Sequence, residues 1–164
     1  MSRKTSKSFK ILKNIAEVAF HFPIDEPLLS IGCGDGFELD VWKLLGYNVL
    51  GIDLDKEKVD IAVKHGCNAI YIPVEDFNPY TKMNVYCSHT LEHCRNSSAV
   101  IKKVRMIALS TVCIIVPIEK QGTKNPAHLS PVKSISDIII KDMHVVRCYE
   151  NFNYEYQGII VWKK

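Results

Sequence analysis

The chain has no uninterrupted apolar run of the roughly twenty residues that a membrane helix requires, which excludes a bilayer span read from hydropathy. It has no C-x-x-C pair: its six cysteines (Cys33, Cys67, Cys87, Cys94, Cys113 and Cys148) are scattered, with neither the spacing of a zinc site nor that of a disulfide framework. They suit a reducing, cytoplasmic setting. It lacks a strong charge of either sign, since 21 Lys and Arg against 18 Asp and Glu leave a formal +3, too little for the dense basic face that marks a dedicated nucleic-acid binder. No repeat and no low-complexity linker divides it. What is present is ordinary globular composition, 47% hydrophobic and 24% charged over 164 residues, the size of one domain with one core.

The stretch from Ser2 to Lys13 is basic, but Asn14, Glu17 and His21 interrupt the apolar residues behind it, so it is not a signal-peptide core. Phe9, Leu12, Ile15, Ala16, Ala19 and Phe22 recur at helical spacing, and residues 1–27 are expected to form an amphipathic helical segment packed on a domain spanning 28–164.

From Leu28 onward short apolar runs alternate with amphipathic segments, the mark of βαβ units around a parallel sheet. Strands are expected at Leu28–Ile31, Asn48–Ile52, Asn68–Ile72, Val85–Cys87 and Val112–Val116, then at His144–Cys148 and Gly158–Trp162. The helices between them carry Phe37, Val41, Leu44 and Leu45 on one face, then Val59, Ala62 and Val63, then Val100, Ile101, Val104 and Ile107. Gly46 and Gly66 are placed as C-terminal caps, Asp55 and Asn96 or Ser97 as N-terminal caps. A further helix is expected to start at Ser130-Pro131 and to pack through Val132, Ile135, Ile138 and Ile139, because proline fits a first helical turn. The fold class is α/β: a Rossmann-like single domain with a mostly parallel seven-stranded sheet, an antiparallel last strand, and helices on both faces.

Gly32-Cys33-Gly34-Asp35-Gly36 falls between the first strand and the first helix of the sheet, where an open parallel sheet leaves a crevice at the carboxyl ends of its strands. Residues without side chains let the backbone approach a ligand and permit positive φ. Asp53 follows the second strand directly, where its carboxylate can accept from both hydroxyls of a ribose. A pyrophosphate-binding turn reads G-x-G-x-x-G, and Phe37 stands where its last glycine belongs. That departure favours a nucleoside cofactor without phosphate, S-adenosylmethionine, over a nicotinamide dinucleotide.

Leu28-Leu29-Ser30-Ile31-Gly32-Cys33-Gly34-Asp35-Gly36 resembles the first motif of the class I S-adenosylmethionine-dependent methyltransferases, and Gly51-Ile52-Asp53-Leu54-Asp55 is similar to their second. Val85 to His93 resembles their fourth-strand motif with its Leu-Glu-His turn. The resemblance implies a methyltransferase in which Gly32, Cys33, Gly34 and Gly36 form the cofactor turn, Asp53 holds the ribose and Leu54 packs on the adenine. It implies that Val74 and Glu75 edge the adenine and that Ser88 and His89 border the sulfonium. Pro73 stands where many relatives carry an acid for the adenine amine, Asn84 replaces an aspartate common at the start of the fourth strand, and Leu109-Ser110 replaces a glycine pair.

A sulfonium methyl is already activated, so the protein's task is chiefly to align the acceptor. A base helps if the acceptor is a hydroxyl, and His89, Glu92 and His93 are the catalytic candidates because they emerge beside the expected sulfonium. The same cluster with His128 has the chemistry of a metal site, but His128 reads as part of an ordinary His-Leu-x-x-Pro segment, and no metal is expected. The acceptor itself is left open, a small metabolite or an exposed group on RNA or protein. Arg95, Lys102, Lys103 and Arg105 read equally as an RNA-facing patch and as the solvent side of a helix. Few added segments cover the site, so an open pocket, or one completed by a partner subunit or a second copy, is expected. Two other readings remain: a non-catalytic S-adenosylmethionine-binding subunit, and an NAD(P)-dependent oxidoreductase.

Overall fold

The computed structural model describes residues 3–118, 125–138, 144–150 and 157–163. Strands β1 (Leu28–Ile31), β2 (Val49–Asp53), β3 (Ala69–Tyr71), β4 (Met83–Ser88), β5 (Ala108–Pro117), β6 (His144–Glu150) and β7 (Gln157–Lys163) form one sheet in the order β3-β2-β1-β4-β5-β7-β6. The pairs among β1 to β5 are parallel; β7 runs antiparallel to both β5 and β6. The chain moves outward from β1 in one direction through β2 and β3, then returns to place β4 on the other side. β1 and β4 therefore mark the topological switch point, and the crevice belongs at their carboxyl ends.

Alternation along the strands divides the core into two layers. Leu29, Ile31, Val85, Cys87, Val112, Ile114 and Ile160 face one side, where helix α4 (Ser97–Ile107) lays down Val100, Ile101, Val104 and Ile107 as expected. Leu28, Tyr86, Cys113, Ile115 and Ile159 face the other, covered by α1 (Arg3–Val18) and α2 (Phe37–Leu44), with Ala62 from α3 (Lys56–Lys64). Trp42 is the centre of that second layer, in edge contact with Phe22, Tyr47 and Tyr86 at centroid distances of 5.5, 5.0 and 5.1 Å. Aromatic edges meeting ring faces add to the area each ring buries.

The caps follow the local sequence. Asp55 accepts from the Lys58 N–H at 3.2 Å and Asn96 from the Ala99 N–H at 3.0 Å, each satisfying an otherwise unpaired donor of a first helical turn. Asn84, buried at the amino end of β4, accepts from the Thr111 N–H and the Ser110 Oγ and donates to Glu26. It thus pins the amino ends of β4 and β5 together, at the opposite end of the sheet from the crevice.

Several helix faces differ from the periodic expectation. On α1 the buried residues are Asn14, Ile15 and Val18, followed by Phe22, while Phe9 and Leu12 are exposed and Ala16 faces solvent. On α2 Leu39 and Trp42 face the sheet and Leu44 is 86% exposed; on α3 Val63 is exposed. The expected faces of α1 and α3 keep Ile15, Phe22, Val59 and Ala62 and lose their outer members, whereas on α2 contact with the sheet selects the row carrying Leu39 and Trp42 over the one expected. The helix expected from Ser130 is absent from 130–134. Val132 bridges to Ile118, Ser130 donates its N–H to the Glu92 carbonyl, and Asp137 accepts from the N–H groups of Lys133 and Ser134, leaving one short 3-10 turn at Ile135–Asp137. Ile139 lies outside the described residues, as does most of the loop between β6 and β7.

Candidate active site

At the carboxyl ends of β1, β2 and β4 lies a crevice of about 1070 Å³, at the upper end of the range for a small-molecule pocket, roughly 300–1,000 Å³, and therefore with room for a nucleoside cofactor and part of an acceptor. Its floor is the turn after β1. Gly32, Gly34 and Gly36 have φ of +80, +55 and +88°, a backbone path that side chains resist.

Each glycine has a separate reason. A Cβ on Gly32 would lie 2.0 Å from Thr90 Oγ1, so the turn and the segment after β4 are in backbone-close contact. Gly34 lines the crevice, and a Cβ there would meet only Lys58 Cδ, at an ordinary 3.9 Å. Gly36 does not line the crevice at all: it starts α2, and a Cβ there would meet Ala62 Cβ and Cys67 Sγ, both at 2.8 Å. The cofactor role expected of Gly36 is thus replaced by a packing role.

Asp53 closes the geometry. One carboxylate oxygen accepts from the Gly34 N–H at 2.8 Å and the other from the Asp55 N–H at 2.8 Å, so the acid at the end of β2 braces the glycine turn across 19 residues of sequence. Each carboxylate oxygen keeps further acceptor capacity for a ligand. Leu54, Val74, Glu75, Ser88 and His89 all line the same crevice, as does Pro73. Leu54 is 63% exposed, an apolar side chain in the crevice lining, whereas Val74 is buried. Cys33 lines the floor with its thiol pushed up to about 12, first by burial and then by the negative charges of Glu38 and Asp53. It is a protonated wall residue and no nucleophile.

The wall after β4 carries the imidazoles. His89 has φ +51°, a strained conformation for a residue with a Cβ, held by its N–H bond to the Ile115 carbonyl at 2.8 Å. Such strain gathers at functional sites. Its Nε2 lies 2.8 Å from the Gln157 side-chain nitrogen. An amide nitrogen only donates, so His89 Nε2 accepts, and its Nδ1 carries the proton toward Glu92 Oε1 at 3.4 Å. Glu92 is buried, absent from the crevice lining, with its second oxygen unpartnered. Of the three expected catalytic residues, then, His89 and His93 reach the crevice and Glu92 stands behind them. His93 Nδ1 bonds the Ala127 carbonyl at 2.9 Å, and its ring meets that of His128 edge-on at 5.0 Å. Ligand atoms of Glu92, His93 and His128 lie within 4.8 Å of one another, so the structure brings together the cluster that the sequence raised.

Sequence reasoning missed Gln157 and Glu38. Gln157 is buried at the first position of β7 and reaches His89 only because β7 pairs with Pro117 across the sheet edge; no local pattern announces it. Lys10, Ile11 and Asn14 of α1 line the crevice, so the amino-terminal helix walls part of the site. Arg95 also lines it, Lys102 is exposed, and Lys103 donates to the Asn78 side chain at 2.7 Å.

Residues 29–108 match the family described as Methyltransferase domain. That span, from β1 to the first residue of β5, is similar to the methyltransferases. Solved structures of this class share its fold. Magnesium protoporphyrin IX methyltransferase (ChlM) from Synechocystis PCC 6803, with bound S-adenosylhomocysteine, superposes with a TM-score of 0.77 at 14% identity, covering 98% of this chain and 84% of that one. A SAM-dependent methyltransferase from Archaeoglobus fulgidus gives 0.73 at 16% identity, over 96% and 94%. The glycopeptide N-methyltransferase MtfA, complexed with S-adenosylmethionine, gives 0.71 at 12% identity, over 92% of both chains. No curated protein sequence matches. The solved structures that share this fold include ones holding S-adenosylhomocysteine or S-adenosylmethionine. Among the described residues no helix is long and apolar enough to cross a membrane.

Proposed function

We propose that this methyltransferase binds S-adenosylmethionine with its ribose on Asp53, its adenine between Leu54 and Val74 with Glu75 at the edge, and its methionine portion along Gly32, Cys33 and Gly34. Ser88 and His89 then border the sulfonium. The observation that carries the reading is the bracing of Gly34 by the Asp53 carboxylate at 2.8 Å, which brings a side-chain-free backbone and a ribose acceptor to one point. In this arrangement the exposed rim at Leu54 gains an aromatic partner, and Glu75 takes the adenine amine in place of the acid that Pro73 displaces.

The acceptor enters on the side of His89, His93 and Arg95. Chemistry at the transferred methyl needs little from the protein: a linear approach of the acceptor atom, exclusion of water, and removal of a proton where the acceptor carries one. His89 Nε2 takes that proton once the incoming acceptor displaces the Gln157 amide, which in the structure occupies its single lone pair. Glu92 acts through it, holding the Nδ1–H and so leaving Nε2 as the basic nitrogen, while His93 shapes the entrance. The acceptor is an exposed group of a metabolite or macromolecule, with RNA or protein contact through the Arg95, Lys102 and Arg105 side; a partner subunit or second copy would extend the rim. The protein works in the cytoplasm.

The test is transfer of a tritiated methyl group from S-adenosylmethionine to separated RNA, protein and metabolite pools, alongside calorimetric titration with S-adenosylhomocysteine. Label in one pool, abolished in Asp53→Asn, supports the proposal and assigns the acceptor class. Tight binding with no label in any pool favours a non-catalytic cofactor-binding subunit, and absence of binding refutes the site.

A further inference from the structure

The outer face of α1 departs from the pattern of a helix that only covers a core. Asn14, Ile15 and Val18 are buried against the domain, so the opposite row should be polar. Between Ser8 and His21 the exposed residues are Phe9, Leu12, Ala16 and Phe20, and every one is apolar. Phe9, Leu12 and Phe20 are 64, 44 and 66% exposed. Steps of three and four residues align Phe9, Leu12 and Ala16 as a single ridge, and Phe20 follows four residues later on the 3-10 turn Ala19–His21. Apolar exposure continues at Ile24, whose Cδ1 lies 3.2 Å from where a Cβ on Gly46 would stand, and at Leu44 and Leu45 just before that glycine. Positive charge gathers on the same helix. Arg3, Lys4, Lys7, Lys10 and Lys13 stand against Glu17 alone, so five bases less one acid give α1 a formal +4 in a chain whose total is +3.

An occupant of this face has to meet both properties at once. A second copy of the chain would bring an equally basic α1 against the first, since a two-fold contact sets the same surface on both sides. One row of side chains also falls short of the about 800 Å² per partner that a stable protein interface buries. Nucleic acid would answer the charge and leave Leu12 and Ala16 in water. The boundary layer of a bilayer rich in anionic phospholipid takes both, with apolar side chains sunk below the headgroups and lysines held among the phosphates. We propose that α1 docks the protein on an anionic membrane surface, its axis in the plane of the interface and Phe9, Leu12, Ala16 and Phe20 immersed. Lys13, one turn from both Phe9 and Ala16, flanks the ridge and stays at headgroup level. Lys10, Ile11 and Asn14 of the same helix wall the crevice, so docking holds the site beside the lipid. The contact is with the surface alone, because among the described residues no helix is long and apolar enough to cross a membrane.

The experiment is sedimentation of the full chain with vesicles of phosphatidylcholine, and of phosphatidylcholine mixed with phosphatidylglycerol. Partition into the mixed vesicles should exceed that into the neutral ones by about a hundredfold or more, and should fall as salt is raised. Lys13→Gln should weaken it by about fivefold, the worth of one cation at such a surface. Phe9→Ser combined with Phe20→Ser should weaken it by about tenfold or more, with an unchanged urea midpoint, because both side chains already stand in water in the free protein. Equal partition into both kinds of vesicle, no partition into either, or partition that the double serine variant retains overturns the proposal. A dimer seen by sedimentation velocity without vesicle binding, and abolished by the same two serines, gives the ridge to a second copy and overturns it too. So does binding to single-stranded RNA that survives the serines while vesicles are ignored.

Discussion

Replacement of Gly32 by alanine tests the contact on which the crevice floor depends. The residue has φ +80°, and its new Cβ would stand 2.0 Å from Thr90 Oγ1, 2.9 Å from Thr90 Cγ2 and 3.0 Å from Thr90 Cβ. Two penalties add. A side chain in the left-handed region costs about 1–2 kcal/mol, and forcing a methyl into an occupied space costs about 1–3 kcal/mol. Thr90 is not free to swing away, because its hydroxyl is within 3.1 Å of both the Ile31 and the Ser88 carbonyls. Gly32→Ala should therefore lose about 2–5 kcal/mol of stability. All three crowding atoms belong to one side chain, so Thr90→Ala should remove most of the second penalty and leave the first. Thr90→Ala alone loses one hydrogen bond, about 1 kcal/mol. The double variant should accordingly be more stable than the sum of the single effects by about 1–3 kcal/mol, a coupling read from urea unfolding of the four proteins. Additivity within about 0.5 kcal/mol would show that the turn and the segment after β4 are not in contact, and the described floor of the crevice would be wrong.

Asp53→Asn should weaken S-adenosylhomocysteine by about a hundredfold or more, since two ribose hydroxyls lose a charged acceptor worth about 1.5–3 kcal/mol each; a change under about threefold in a folded variant, measured by calorimetry, refutes the ribose role. Asn96→Ala should lower stability by about 1 kcal/mol through loss of the α4 cap, and an unchanged urea midpoint would contradict that cap. Stability should decline on the alkaline side: the Cys33 thiol is raised from its ordinary 9.0 to about 12, and burial raises Cys87 and Tyr86 as well. Because the folded state disfavours the thiolate, this contribution is complete below pH 9, is lost progressively as the unfolded chain ionises above it, and is gone beyond the folded value. Urea midpoints that stay level between about pH 8 and about pH 10.5 would contradict it. Chelation should change neither thermal stability nor methyl transfer, because His93 already bonds Ala127 and His128 has Asn125 at 3.1 Å; a drop in melting temperature restored by added zinc would make Glu92, His93 and His128 a metal site.

The class of fold, the succession of strands and helices, the glycine turn and Asp53 were legible in the linear chain because each rests on local rules, whereas the strand order was not. Positive φ demands glycine, a helix start demands a capping acceptor, and a strand buried on both faces reads as an apolar run. Even Gly36 was legible as a conformational requirement, although its partner, the α3 surface at Ala62 and Cys67, was not.

Tertiary structure decided whatever depended on two surfaces meeting. Periodicity marked Ile15 and Ala62 as buried but not Trp42, and only contact with the sheet turned Trp42 inward and left Phe9, Leu44 and Val63 outside. Ser130 and Pro131 have the local chemistry of a helix start, yet the Glu92 carbonyl and Ile118 claim that segment for long-range bonds. Gln157 beside His89 and Glu38 beside Ser30 carry no signature in spacing, because a folded chain brings residues together by the geometry of its sheet and sequence distance records none of it.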